Sequence, residues 1–145
     1  PMSCQEALAQ DMFDEILVEY IEPRLGADHP TFLYDYPAKL AALAKTKKSD
    51  PTVAERFELY IGGMEIANGF SELTDADEQR RRFEEAQQAR AKKNWACYAM
   101  PEKFLQALKT LPETAGIALG IDRMMMILTN TLQIENITAF PPEAL

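Results

Sequence analysis

RFELYIGGMEIANGF, residues 56–70, decides how this chain folds. Two β-prone runs flank Gly62-Gly63, a dipeptide that accepts the positive φ angles of a two-residue hairpin turn. Such a turn sets the register: Ile61 opposite Met64, Tyr60 opposite Glu65, Glu58 opposite Ala67. Alternation then puts Phe57, Leu59, Ile61, Met64 and Ile66 on an apolar side, and Glu58, Tyr60 and Glu65 on the other. Glu58 and Glu65 become diagonal cross-strand neighbours, roughly 7 Å apart or less. Carboxylates that close repel, and a cation, a basic partner or a shared proton must relieve them. Magnesium at nucleotide sites is held by one or two carboxylates together with phosphates. The same spacing also describes a wet sheet face screened by water. Asn68, Phe70 and Glu72 follow with parity opposite to Glu65, and face one pocket with it only if a bulge or twist near Gly69 re-aims them. By itself, Phe70 reads as strand core.

Working outward, Leu8, Met12, Phe13, Ile16, Leu17, Tyr20 and Ile21 recur at helical spacing. They predict one amphipathic helix over residues 5–21, stopped by Pro23. Residues 31–36 (TFLYDY) read as a strand ending at Pro37, and Lys45 to Asp50 as an exposed connection. Asp75 with Glu78 predicts a capping box for a helix of about 77–93. Pro101 suits the first turn of another, with Phe104, Leu105 and Leu108 on one side. Residues 116–121 (GIALGI) read as a short strand entering a helix from Asp122 to about Asn130, and Ile134 to Phe140 as a last strand. The expected fold is α+β: one domain over residues 1–145, an antiparallel sheet with flanking helices.

The segment Gly116-Ile-Ala-Leu-Gly120-Ile-Asp122-Arg123 is the second candidate site. Glycine at a strand end lets a ligand or another backbone come close. Arg123 then opens a helix, where amide groups and the dipole already favour anions, and its fork can grip a phosphate. An Asp–Arg surface pair at a helix cap reads equally well from spacing alone. The glycine spacing fits neither a Walker loop nor a dinucleotide fingerprint. Met124-Met125-Met126 reads as helix core, Trp95 as a loop or core anchor, and His29 as a turn residue.

Composition bounds the rest. A chain of 145 residues with 47% apolar content suits one globular domain. No run of roughly 18 apolar residues occurs, and Glu6, Asp11, Asp14, Glu15 and Glu19 are unlike a cationic signal peptide. Cys4, Cys97 and the single His29 make neither a disulfide framework nor a zinc site. A cytosolic protein is expected. The net charge is −8, and Arg80–Arg82 and Arg90–Lys93 are interleaved with Glu78, Glu84 and Glu85. That pattern reads as a solvated, ion-paired helix rather than a phosphate-gripping face.

In this order, Arg56-Phe57-Glu58, Gly62-Gly63-Met64-Glu65-Ile66-Ala67-Asn68-Gly69-Phe70-Ser71-Glu72-Leu73 and Gly116–Arg123 resemble the lysyl branch of the class II aminoacyl-tRNA synthetases. Tyr36-Pro37-Ala38, Val53–Glu58 and Ala139-Phe140-Pro141 match too, so the resemblance covers most of residues 30–141. It implies that Arg123 is the motif 3 arginine, binding the phosphates of ATP and stabilising the α-phosphorus during attack. It implies Glu58 and Glu65 as the pair that holds Mg2+ on ATP. Asn68, Phe70, Glu72, Ala67 and Gly120 are similar to the amino-acid pocket, with Glu72 facing the ε-ammonium of a lysine-type substrate. The implied reaction is adenylation of that substrate.

Two branches of the family differ at one letter. Lysyl-tRNA synthetases carry glycine where this chain has Ala67, whereas the paralogues that attach β-lysine to elongation factor P carry alanine. A methyl there would crowd an amino group on the α-carbon. Val53–Glu58 and Glu72–Ala76 resemble those paralogues as well, so elongation factor P is the expected acceptor and tRNA-Lys the alternative. Motifs 1 and 2 are not found, so the chain is expected to be the motif 3 half of a catalytic core, inactive alone. Homodimerisation is expected of the full-length protein and stays open for this portion. A non-catalytic, synthetase-derived binding module is the reading from another class. Glu58, Glu65, Asn68, Glu72 and Arg123 together favour the enzyme, since a scaffold needs none of them.

Overall fold

In the computed structural model, which describes residues 2–141, Ser3 and Glu6 open the first helix with reciprocal bonds. Ser3 Oγ accepts from the Glu6 amide at 3.2 Å, and Glu6 Oε2 accepts from the Ser3 amide at 2.8 Å. The box satisfies two amides that no helical carbonyl reaches. The resulting helix, α1 (Cys4–Ala9), is short. The single helix expected over residues 5–21 is broken at Asp11, whose φ is 57°, while the Met12 amide reaches back to the Ala7 carbonyl at 2.9 Å. This is a left-handed stop, a conformation that aspartate tolerates better than most residues. A second helix, α2 (Phe13–Ile16), continues as a π turn (Leu17–Ile21) and a 3-10 turn (Glu22–Arg24).

Strand β1 (Thr31–Pro37) forms where expected. The polar run from Lys45 is more than a connection, because β2 (Thr46–Lys47) pairs antiparallel with β3 (Asp50–Ile61), Thr46 opposite Ala54. Backbone groups make that pairing, so apolar side chains gave no sign of it. Gly62 and Gly63, at φ 61° and 75°, turn β3 into β4 (Met64–Ser71), the hairpin predicted from the glycine pair. Then follow α3 (Ala76–Lys92), α4 (Glu102–Leu108), β5 (Ala115–Leu119) and α5 (Ile121–Leu128). The strands order as β1-β3-β4-β5 with β2 beside β3, an antiparallel sheet in an α+β fold. The Glu72 amide donates to the Thr114 carbonyl at 3.0 Å and the Gly120 amide to the Ile66 carbonyl at 2.9 Å. Six residues backward on one strand match six forward on the other, the signature of antiparallel pairing. Ile134–Phe140 is not a last strand; Ile134–Asn136 makes a 3-10 turn.

The described residues fall into two compact units. The first comprises the chain up to Leu33, Phe57–Asn68, and the chain from Ile117 onward. In it the turn amides of Gly62 and Gly63 donate to the carbonyls of Gly26 (2.7 Å) and Leu25 (2.9 Å), so the hairpin tip is anchored. Gly26 sits at φ 72°, and a Cβ there would lie 2.5 Å from the Tyr60 carbonyl oxygen. Only glycine fits both demands. Of the methionine trio, Met126 is buried, while Met124 and Met125 are exposed, as are Ile117, Leu119 and Ile121.

The second unit comprises Tyr34–Arg56 and Gly69–Gly116. Ala41, Ala44 and Ala54 form one small core with Phe70 against it, and Ala76, Leu105 and Leu108 form another with Phe83 and Met100. Asp75 caps α3 by accepting from the Asp77 and Glu78 amides. The carboxylate of Glu78 engages Arg81 and Arg82 rather than serving as the other half of a capping box. Burial pushes the Glu78 carboxyl up, and bonds from Arg82 and Arg81 more than reverse this, holding it below the ordinary carboxylate range. Arg82 also donates to the Ala42 and Ala44 carbonyls, and Arg80 pairs with Glu102. The arginine run is therefore spent within the unit. Trp95 is an exposed loop residue beside Arg90 and Lys93. Among the described residues no helix is long and apolar enough to cross a membrane.

Candidate active site

Residues two apart on a strand share a face, so Glu58 and Tyr60 leave β3 together. The Tyr60 hydroxyl donates to Glu58 Oε2 at 2.6 Å, and Asn68 Nδ2 donates to Glu58 Oε1 at 2.9 Å. Glu58 is only 6% exposed and Tyr60 1%, whereas Phe57, Leu59 and Ile61 are half-buried. The reading of this side as a wet face is thus overturned at Glu58 and Tyr60. An enclosed carboxylate costs least when each oxygen accepts a hydrogen bond, and here both do.

Strict alternation from the two-residue turn would put Asn68 on the side away from Glu58, yet the two side chains bond. The Asn68 amide thus reaches Glu58, and Ile66 and Ala67 are buried in succession just before it. Ala67 is 3% exposed, so its methyl is covered by protein.

Gly120 is the N-cap of α5, which makes Arg123 the third helical residue. Arg123 Nη1 donates to the Glu65 carbonyl at 2.8 Å and to Glu65 Oε2 at 3.1 Å. The hairpin and the motif around Arg123 therefore converge, with Glu65 as the partner instead of the neighbouring Asp122 considered from sequence. Both side chains keep access to water, 51% for Arg123 and 34% for Glu65. Such a pair is worth no more than about 1 kcal/mol, and a polyanion can compete for the guanidinium. A Cβ on Gly120 would touch the Arg123 stem at 3.4–3.6 Å, ordinary contact.

In the second unit, Glu72 is half-buried, and a Cβ on Gly116 would come within 3.2 Å of Glu72 Oε1. Gly116 is thus the glycine under this carboxylate; the sequence signal was its place at the strand end. Phe70 is half-buried against Ala41, Ala44 and Ala54, the core role its strand position suggested. Gly26 went unnoticed in sequence, since nothing in its letter announces a fit against Tyr60; alternation put Tyr60 on the face of Glu58, but its bond to that carboxylate was not foreseen.

Among the described residues no group of three or more His, Cys, Asp and Glu could hold a metal ion by itself. Two carboxylates on one ribbon suit magnesium only when phosphates complete its shell, because this small cation takes few protein ligands. The donor set fits a nucleotide-borne magnesium ion.

Comparison with known proteins gives a consistent result. The family model described as tRNA synthetases class II (D, K and N) matches residues 7–144. A Pectobacterium carotovorum protein named elongation factor P--(R)-beta-lysine ligase is 43% identical over 143 residues, 98% of this chain and 44% of the relative. Proteins of the same name from Proteus mirabilis and Yersinia pestis are 46% identical over 127 residues and 45% identical over 122. These stretches cover 87% and 83% of this chain, and 39% and 38% of those relatives. The chain spans less than half the length of the curated relatives it matches.

Proposed function

Since this chain belongs to the class II tRNA synthetases of the D, K and N type, we propose that the polypeptide carrying it activates a lysine-type amino acid with ATP and transfers it to a lysine of elongation factor P. The observation that carries this reading is the junction of Arg123 with Glu65, which joins the hairpin to the motif 3 segment. The names of the relatives favour (R)-β-lysine as the substrate and elongation factor P as the acceptor.

A carboxylate oxygen of the amino acid attacks the α-phosphorus of ATP. The bond from that phosphorus to the bridging oxygen breaks, and pyrophosphate leaves with the electron pair. The acceptor ε-amine then attacks the acyl carbon, loses a proton, and releases AMP. Arg123 gives up Glu65 for the phosphates and stabilises charge developing at the α-phosphorus, a contribution of position and electrostatics. Glu58 and Glu65 hold magnesium, whose chemistry is to neutralise phosphate charge. Glu72 accepts from the substrate ε-ammonium, and Asn68, Phe70, Ala67 and Gly120 are assigned to substrate binding on the family resemblance. Activity is assigned to a polypeptide that also supplies motifs 1 and 2, and this stretch alone is assigned none. Arg80, Arg81 and Arg82 are engaged by carboxylates, which favours a protein acceptor over tRNA-Lys.

The test is direct. The full-length polypeptide, ATP, magnesium and (R)-β-lysine are incubated with elongation factor P, and the factor's intact mass is measured. Addition of one β-lysyl group at a lysine supports the proposal. An unmodified factor, with tRNA-Lys acylated under the same conditions, contradicts it.

A further inference from the structure

We infer that Tyr60 is a positioning residue that sets the orientation of the Glu58 carboxylate for the metal–nucleotide complex. The inference rests on the proposed placement of that complex and adds a residue to it. The hydroxyl lies 2.6 Å from Glu58 Oε2, within the range of a charge-assisted O–H···O bond. Tyr60 is among the most deeply buried side chains of the molecule, at 1% exposure. Its backbone is held as well: Gly26 fits flush against the Tyr60 carbonyl, and the Gly26 carbonyl takes the Gly62 amide at 2.7 Å. With ring and backbone both confined, the hydroxyl presents one fixed direction.

Asn68 supplies the second donor, from β4 to the other oxygen. Donors from two strands on opposite oxygens fix the plane of the carboxylate. Partners that orient a metal ligand in this way matter almost as much as the ligand, typically about 10–100-fold in metal affinity.

The test uses the full-length polypeptide and titrates Mn2+ by electron paramagnetic resonance. The non-hydrolysable β,γ-methylene analogue of ATP is present and amino acid is absent. Tyr60→Phe keeps the ring and removes the hydroxyl; Asn68→Ala removes the other donor; Glu58→Gln is the control. Partial unfolding lowers the number of sites, whereas lost positioning weakens affinity at an unchanged number. The expected result is at least about a tenfold loss of Mn2+ affinity in Tyr60→Phe and a loss in Asn68→Ala. The half-saturating Mg2+ concentration for pyrophosphate exchange rises in parallel, and the KM for amino acid in Tyr60→Phe stays put. Wild-type affinity in both variants alongside weakened Glu58→Gln overturns the role of Tyr60 and leaves the proposed function standing. Wild-type affinity in Glu58→Gln removes Glu58 from the metal, and both readings fail.

Discussion

Arg123 holds Glu65 twice, through the backbone carbonyl at 2.8 Å and the carboxylate at 3.1 Å. One contact reads the strand and the other reads its charge, so the helix start is registered on the hairpin while the guanidinium stays half-exposed. An arginine placed this way costs little to release and is ready for a stronger anion.

Replacement of Arg123 by alanine should therefore separate activity from stability. Pyrophosphate exchange by the full-length polypeptide is expected to fall by about two orders of magnitude or more, the loss typical of removing a transition-state donor. Stability in urea should drop by less than about 1 kcal/mol, as for an exposed ion pair. Near-normal turnover would refute the role assigned to Arg123.

Gly116→Ala places a methyl 3.2 Å from Glu72 Oε1, so that carboxylate must shift by a few tenths of an ångström. If Glu72 receives the substrate ammonium, KM for the amino acid rises while kcat and the melting temperature change little. An unchanged KM would detach Glu72 from the substrate.

At Gly26 the expectation concerns stability. Alanine there must adopt φ 72° and occupy a position 2.5 Å from a backbone oxygen that cannot swing aside. Strain of this kind costs of order 1–3 kcal/mol before the clash is counted. Urea denaturation should show at least that loss, and an unchanged midpoint would mean that the turn is not seated against Tyr60.

Gln79 is 1% exposed, and neither its amide nitrogen nor its amide oxygen bonds to another described residue. A buried amide so placed costs about 1–3 kcal/mol of desolvation. Gln79→Met, similar in length and without polar hydrogens, should raise stability by about 1 kcal/mol. Destabilisation in thermal melts would show that the amide is satisfied in solution.

How far these features could be read from the letters depended on the range of the interactions. Gly62-Gly63 announced its turn because the constraint is local to two residues. The strand-to-helix passage at Gly120 was legible for the same reason. The break at Asp11 was hidden, since the apolar spacing continues on both sides of a turn that only a backbone angle records. Strand β2 was hidden because its pairing uses no side-chain signal. In the site, the convergence of Arg123 with the hairpin came from resemblance, as sequence spacing says nothing about residues 58 positions apart. The Asn68–Glu58 bond ran against strict alternation, and Gly26 is matched to Tyr60 by packing between distant segments.

The most direct test of the whole account is ATP–pyrophosphate exchange by the full-length polypeptide, with (R)-β-lysine and α-lysine compared side by side. The account predicts exchange that requires magnesium and is faster with (R)-β-lysine. Equal or faster exchange with α-lysine, together with lysylation of tRNA, would contradict it.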